Sequence, residues 1–405
     1  MESLRELYRI GFGPSSSHTM APRRASEIFL TRHPDAHLYQ VELYGSLAAT
    51  GKGHGTDKAI EAVFSQTGRA LELIWKPDEF LPAHPNALRF HAIGPNSQPL
   101  GSWTAYSTGG GALMGEGDAP PSSKVYPLET MAEILDWCSR EGRQLWEYAV
   151  HCEGEQILDY LGEVWKVMKQ SIRRGVESEG VLPGGLYLPR KAAHYYAQAT
   201  HLSGPIGKRS LVYAYALAVS EENAAGGEVV TAPTCGSCGV LPAVLYYMKR
   251  TYKVQEHRII RSLAGAGIVG NIVKSLASIS GAEVGCQGEV GTACAMASAA
   301  STHLMGGSNY QVEYAAEMGL EHHLGLTCDP IKGLVQIPCI ERNALGAARA
   351  LNHMAFSLLS DGRHQVPFDS VVKVMNETGK ALPSLYRETS LGGLAALDSH
   401  ERNRS

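Results

Sequence analysis

The sequence predicts an α+β protein in which a small N-terminal mixed α/β domain is followed by a larger all-α domain. Strand-like alternation of apolar and polar residues is confined to the first 107 positions, whereas small apolar residues and helix formers at helical spacing dominate after position 126. A stretch rich in glycine, proline and serine separates the two parts. The 405 residues also exceed the size at which one hydrophobic core usually keeps growing. We therefore predict domains at 1–115 and 126–405, joined by a linker at 116–125.

The predicted elements of the first domain alternate between helix and strand periodicity. Residues 20–29 have the spacing of a helix, residues 38–44 alternate like a strand, and residues 57–64 are predicted to form a second helix. Two further strand-like runs, at 87–93 and 100–107, complete the domain, which ends at three consecutive glycines.

The second domain is predicted to be almost entirely helical, with helix-forming stretches at 126–170, 195–223 and 239–280. Its many glycine and alanine residues allow backbones to approach each other, or a cofactor, closely. The string Gly265-Ala-Gly-Ile-Val-Gly270 matches a dinucleotide-binding fingerprint, but helical sequence precedes it where a strand is required. Close helix packing is the favoured interpretation of these glycines.

Composition and charge limit the classes of partner. With 36 basic and 40 acidic residues the net charge is −4, and there is no basic block of the kind that binds nucleic acid. The N-terminus lacks the apolar core of a signal peptide, and Asn271 and Lys274 interrupt the most apolar later stretch. We expect a cytoplasmic protein that binds a small molecule and neither nucleic acid nor membrane, with a homodimer as the commonest oligomeric state.

The eight cysteines are better explained by thiols and metal than by disulfides, because the chain is large and has no export signal. Three of them, Cys286, Cys328 and Cys339, lie in segments rich in glycine or proline. Three thiolates from separate turns can hold a cubane iron–sulfur cluster and leave its fourth iron without a protein ligand. Such an iron is a Lewis acid as well as an electron carrier. Cys138 and Cys152 lie in helix-like sequence and are predicted to be core residues.

A hydroxyl-rich motif precedes the first predicted helix. Ser15, Ser16, Ser17, His18 and Thr19 stand where the helix has unpaired N–H groups, and such a terminus binds anions. One serine would suffice to cap the helix, so the surplus hydroxyls favour a carboxylate-binding site over simple capping.

The segment from Tyr44 to Asp57 follows a strand and opens a helix, as a phosphate-binding loop does. Its spacing is wrong for that loop, since five residues separate Gly45 from Gly51. His54, between two glycines, remains as a candidate general base, with an exposed loop histidine as the alternative. His84 and Asn86, at the entry to a strand, are weaker candidates for binding substrate polar groups.

Two further cysteines form a Cys-x-x-Cys pair, Cys235 and Cys238, in a loop that begins at Thr231. Such a pair can indicate zinc or thiol redox chemistry, but no two additional ligands occur at comparable local spacing. A backbone loop that lines the active site is therefore favoured over an independent metal centre. Cys294 follows in helix-favouring sequence and is interpreted as a core or supporting residue.

Taken together, these motifs resemble the iron–sulfur-dependent L-serine dehydratases, also called L-serine ammonia-lyases, and the resemblance extends almost from end to end. It rests on the three cysteines, at intervals of 42 and 11 residues, and on the segments 13–19, 44–47, 51–57, 106–111, 221–227 and 230–234. Several long motifs in the same order are not expected by coincidence.

The resemblance implies that Cys286, Cys328 and Cys339 hold a [4Fe-4S] cluster in an all-helical catalytic domain, over which the N-terminal domain closes. It also implies that His54 is the catalytic base and that the turn at 15–19 and His84 contact the substrate. The chain departs from the family pattern where Cys235-Gly-Ser-Cys238 replaces the usual Asn-Gly after Thr234. The segment between His54 and His84 is short for the family. No cysteine follows Cys339, whereas some members end in one that occupies the open iron.

The activity implied is α,β-elimination of L-serine to pyruvate and ammonia. A related lyase acting on L-cysteine or L-threonine is a second hypothesis, because the sequence does not reveal the shape of the pocket. A non-catalytic metal- or redox-sensing protein built around Cys235 and Cys238 is a distant third. A pyridoxal-phosphate enzyme is disfavoured, since no Schiff-base lysine occurs together with a phosphate loop.

Overall fold

The computed structural model of the chain describes residues 1–116, 124–388 and 392–397. Within these residues it confirms the predicted α+β architecture, a small N-terminal sheet and helix region followed by a larger helical part. Most of the predicted linker, residues 117–123, lies outside the described residues. The exact domain boundaries stay predictions.

The N-terminal region packs three helices against a five-stranded sheet of order β3-β2-β4-β5-β6. Only the β2–β3 pair is parallel. Its elements are β1 (Ile10–Phe12), α1 (Ala21–Arg32), β2 (Leu38–Tyr44), α2 (Gly45–Thr50), α3 (Thr56–Phe64), β3 (Ala70–Lys76), β4 (Asn86–Ile93), β5 (Pro99–Ser107) and β6 (Leu113–Gly115). The sequence analysis found both long helices and three of these strands. It missed the short β1, α2 and β6, and also β3, whose side chains are mostly half-buried.

The helical part contains twelve helices and one short strand among the described residues. They are α4 (Met131–Glu141), α5 (Leu145–Glu153), α6 (Gln156–Glu177), α7 (Ala192–His201), α8 (Gly204–Ala224), β7 (Glu228–Val230), α9 (Val240–Tyr252), α10 (Glu256–Leu276), α11 (Gly281–Val284), α12 (Thr292–Leu304), α13 (Asn309–Glu321), α14 (Cys339–Leu358) and α15 (Phe368–Ala381). The stretch predicted at 126–170 divides into three helices, because Gly142 and Gly154 end α4 and α5 with positive φ angles of 64° and 78°.

The first twelve residues belong physically to the helical part. Met1, Leu4, Leu7 and Tyr8 are buried in its core, and the Tyr8 hydroxyl donates to the carbonyl oxygen of Leu263 at 2.9 Å. Strand β1 pairs with β7 in antiparallel register. The chain therefore begins on the helical part, crosses to the sheet, and returns after β6.

Helix α10 is the one described helix that is long and apolar enough to cross a membrane by length and composition. Two thirds of its most apolar window, 67%, is buried inside the protein. It contacts α5, α6 and α12, so it occupies the position of a core helix.

Close helix approach at glycine generates a stability prediction. A Cβ added at Gly319 on α13 would lie 2.6 Å from the Ala295 Cα on α12. We expect Gly319→Ala to destabilise the protein by about 1–3 kcal/mol or more, because backbone cannot yield as a side chain does. Gly162→Ala on α6 is the matched control, since its Cβ would meet only Ile260 Cδ1 at 3.8 Å. Denaturant unfolding of both variants tests this, and equal stabilities would contradict it.

Candidate active site

A small cavity, with a volume of about 30 Å³, lies between the sheet region and the helical part. The sheet region contributes the turn at Ser15 to Ser17, His54 and the glycine turn at 109–110. The helical part contributes residues from the segments 234–236 and 279–281 together with Glu289, Cys328, Cys339 and Glu388. The cavity thus brings together most of the residues that the sequence singled out.

Two of the three predicted metal-binding cysteines, Cys328 and Cys339, line this cavity, and Cys286 lies beside Cys328 and Glu289. Cys286 precedes a π-helical turn at 287–291, Cys328 lies in the loop after α13, and Cys339 is the first residue of α14. All three are buried. Ligand atoms of Cys286, Cys328 and Glu289 lie within 4.8 Å of one another, and no other group of three such residues in the described part of the chain is equally close.

The room beside these thiols depends on glycine. A Cβ at Gly281 would lie 3.1 Å from Cys328 Sγ and 2.8 Å from Glu289 Oε2. Any larger residue at this position would therefore intrude between the ligand atoms. The arrangement is a preformed cradle of soft sulfur ligands, which suits iron–sulfur clusters and zinc better than magnesium or calcium.

Burial of these acidic groups shifts their protonation. Burial raises the pKa of Glu289 to about 7, and the neighbouring Glu388 carboxylate acts in the same direction. The adjacent Cys286 and burial raise the pKa of Cys328, and burial raises that of Cys339. A bound metal would favour the thiolates instead.

Arg342 is the cation whose charge interacts with the thiols of Cys286 and Cys339. Its Nη1 donates to the Thr327 carbonyl oxygen at 2.6 Å, and the charges of Cys286 and Cys339 raise its pKa, against the opposing effect of its own burial. Sequence reasoning missed Arg342, Glu289 and Glu388. Glu289 could have been recognised from the sequence, because it stands three residues after Cys286. Arg342 and Glu388 come close to the site only in the folded structure, so no local pattern predicted them.

The hydroxyl-rich turn has both structural and cavity-facing members. Ser15 caps it by accepting from the His18 backbone N–H at 3.1 Å. Thr19 Oγ1 donates to the His54 carbonyl oxygen at 2.8 Å and does not line the cavity. Ser15, Ser16 and Ser17 do line it. The motif therefore combines a cap, a hydrogen bond to the His54 loop, and three serines that line the cavity.

His54 is buried, with 2% of its surface exposed, so the alternative of an exposed loop histidine is wrong. Its ring centroid lies 4.6 Å from that of His18, and its Nδ1 has no hydrogen-bond partner. Gly53 allows the loop to pass the helical part, because a Cβ there would lie 2.9 Å from the Lys332 carbonyl oxygen. Burial, aided by His18, lowers the pKa of His54 well below its usual range.

His84 and Asn86 lie at the start of β4, and neither is among the residues that line the cavity. The His84 Nδ1 accepts from the Asn86 backbone N–H at 3.1 Å. Both polar atoms of the buried Asn86 amide lack a hydrogen-bond partner. Because unpaired buried amides are rare, this amide calls for a water or a ligand.

The Cys235 loop lines the cavity through Thr234 and Gly236, as the sequence analysis favoured. Thr234 Oγ1 donates to Glu289 Oε1 at 2.7 Å, whereas the Cys235 thiol points to Met20 Sδ at 3.7 Å. Cys294 lies in the core, with its thiol 3.3 Å from the Gly346 carbonyl oxygen. The Cys-x-x-Cys pair therefore takes no part in the metal-capable group.

The fold and the cavity define a class of protein, an α+β enzyme with a buried, thiol-rich site that can hold a metal. Comparison with known proteins makes this specific. Residues 83–395 match the family model of the serine dehydratase alpha chain, and residues 3–69 match that of the beta chain. The chain belongs to the serine dehydratase family, with both parts fused in one polypeptide, and it is a lyase.

Individual relatives cover nearly the whole chain. The chain is 40% identical over 447 aligned positions to an L-serine dehydratase of Streptomyces coelicolor, with 97% of this chain and 98% of the relative covered. It is 41% identical to L-serine dehydratase TdcG of Escherichia coli, with 98% and 99% covered. A Helicobacter pylori L-serine dehydratase is 34% identical, with 97% and 98% covered.

The two buried histidines generate a titration prediction. Burial lowers the pKa of His18 to about 4, and His54 shifts in the same direction, so both rings should stay neutral between about pH 5 and 8. The free energy of unfolding should therefore decrease as the pH falls below about 6.5, the pKa of histidine in an unfolded chain, because the unfolded state then binds protons that the folded state does not.

Histidine-selective NMR of the metal-free protein measures this directly, with His18→Gln and His54→Gln identifying the two resonances. The same rings in the urea-unfolded protein are the reference. A folded-state midpoint near 6.5 for either ring would contradict the burial argument.

Proposed function

We propose that the protein is an L-serine ammonia-lyase, which converts L-serine to pyruvate and ammonia by α,β-elimination. The observation that carries this proposal is one cavity lined by Cys328, Cys339, the buried His54 and a serine-rich turn, with Cys286 grouped with Cys328 and Glu289 beside it. The names of the relatives agree with it.

The donor set fits a [4Fe-4S] cluster held by Cys286, Cys328 and Cys339. The fit is supported by the buried thiols and by the space that Gly281 leaves beside Cys328 and Glu289. When bound, such a cluster supplies a Lewis-acidic iron with an open position, which polarises the carbon–oxygen bond of a hydroxyl leaving group.

The protein's own residues would orient the substrate and move its α-proton. The hydroxyls of Ser15, Ser16 and Ser17 line the cavity at the start of a helical turn, and such a terminus attracts a carboxylate. His18 supports this turn through a 2.8 Å hydrogen bond between its Nδ1 and Ser17 Oγ. His84 and Asn86 are proposed to complete substrate binding from the adjacent strand.

His54 is the proposed general base. Its Nδ1 is buried and unpartnered, so the lone pair is available to take the α-proton from the substrate. Because burial keeps the ring neutral, the base is in its active form at neutral pH. Thr19 fixes the loop by its bond to the His54 carbonyl oxygen, and fixed orientation is itself a large catalytic contribution.

L-Cysteine and L-threonine are the alternative substrates, since each has a β-leaving group on the same amino-acid frame. Comparison of products from the three amino acids decides between them. We also propose a cytoplasmic homodimer with a small-molecule substrate and no nucleic-acid or membrane partner.

Pyruvate release tests the proposed function. Protein purified and iron–sulfur reconstituted without oxygen should form pyruvate from L-serine and lose this activity with its brown colour in air. Cys286→Ser, Cys328→Ser and Cys339→Ser should each abolish activity and reduce iron content, because each removes a cluster ligand. Cys138→Ser, in α4, is the matched control and should do neither.

The results distinguish a wrong ligand assignment from a wrong substrate. Full activity in Cys286→Ser would show that the ligand assignment is wrong. No pyruvate from wild-type protein with an intact cluster would shift the proposal to another amino-acid substrate.

Replacement of His54 tests the proposed base. We expect His54→Gln to lower kcat about 10²- to 10⁴-fold while the cluster absorption stays unchanged, because general-base catalysis contributes that much. His257→Gln, at an exposed position of α10, should leave both unchanged. A loss of kcat below about threefold in His54→Gln would assign proton removal to another group.

A further inference from the structure

The described residues that line the active-site cavity include acidic side chains but no lysine or arginine. The two carboxylates are those of Glu289 and Glu388. A carboxylate withdrawn from water is costly unless a positive charge or several hydrogen bonds compensate it. Within the described part of the chain, the lining of the cavity therefore leaves room for a cation supplied by a ligand.

The contacts of Glu388 do not compensate its charge. Its side chain is only 12% exposed, its Oε1 lies 3.5 Å from His18 Nδ1, and it shares a hydrogen bond with Ser17. Neither neighbour is a permanent cation. Arg342, which acts on Glu289, donates to Thr327 and lies 3.9 Å from Asp329, and it does not line the cavity.

The backbone conformation at Glu388 is strained. Its φ angle is +44°, in the left-handed region that side-chain-bearing residues rarely adopt. Neighbouring bonds fix the segment: the Cys328 N–H donates to the Tyr386 carbonyl oxygen at 2.8 Å, and Arg387 Nη1 donates to that of Glu283 at 3.1 Å. Persistent strain of this kind concentrates at functional sites.

The lining of the cavity is chemically complementary to an amino acid, which carries its carboxylate and its ammonium group on the same carbon, because Glu388 lies beside Ser17 of the serine turn. The Ser15 to Ser17 hydroxyls suit a carboxylate, and His54, whose Nδ1 has no hydrogen-bond partner, lines the same space. Glu289 is tied to Thr234 and lies 3.7 Å from Cys286 Sγ, so it is committed to the thiol cluster. Glu388 is the carboxylate that remains for a ligand.

We propose that Glu388 binds the α-ammonium group of the substrate, with Glu289 adding to the negative potential at that point. This inference rests on the proposed function and names the substrate class more closely as α-amino acids with a free, charged amino group. The corresponding hydroxy acids are rejected, because a hydroxyl leaves the buried carboxylate without its cation.

Steady-state kinetics of the reconstituted enzyme test the inference. Glu388→Gln should raise the KM for L-serine roughly 10- to 100-fold, as expected for loss of a charged hydrogen bond, with a smaller change in kcat. The inhibition constant of L-glycerate, which has a hydroxyl in place of the ammonium group, should stay the same or fall. Iron and sulfide content should not change. Glu377→Gln, the same replacement at an exposed position of α15, is the control and should match wild type.

Equal weakening of L-serine and L-glycerate in Glu388→Gln would show a merely structural role and overturn the inference, as would an unchanged KM. Calorimetric binding to the wild-type holoenzyme gives a test that needs no variant. L-Glycerate binding as tightly as L-serine would overturn the inference even if pyruvate is formed. Preference for L-serine without pyruvate formation would instead support the ammonium site and contradict the proposed activity.

Discussion

The docking of the sheet region on the helical part is the constraint on which the active site depends. The thiols belong to the helical part, whereas His54 and the serine turn belong to the sheet region, so neither alone contains the site. Docking starts with the first residues of the chain, where Tyr8 bonds to Leu263 and β1 pairs with β7. These contacts lead the chain to the turn at Ser15 to Ser17, which precedes α1 and lines the cavity.

Within the sheet region, two loops are tied to each other before they meet the thiols. Thr19 donates to the His54 carbonyl oxygen at 2.8 Å, and Thr56 donates to the His18 carbonyl oxygen at 2.6 Å. The two histidine rings are therefore held close together, while the Nδ1 of His54 has no hydrogen-bond partner. Because the threonine hydroxyls hold the loops through their backbone, the His54 ring is not needed for this contact and can accept a proton, as a positioned base must.

The sequence predicted best where the signal is local. The bounds of β2, residues 38–44, follow from apolar alternation, and the cysteine-bearing turns follow from glycine and proline around each thiol. It failed at β3, whose half-buried side chains give weak alternation at a sheet edge. It also failed to break the 126–170 stretch, because helical spacing continues across Gly142 and Gly154, and only their positive φ angles end the helices.

By itself, the sequence determined the α+β class, the residue types that could carry the chemistry, and the family resemblance, since composition, periodicity and motifs are properties of neighbouring residues. Only the tertiary structure decided that His54 is buried, that Thr19 serves its loop, and that the Cys235 thiol faces Met20. It alone brought Glu388 within reach of Ser17 and His18, some 370 residues earlier in the chain. Burial and long-range proximity depend on how distant segments pack, and no local pattern encodes them.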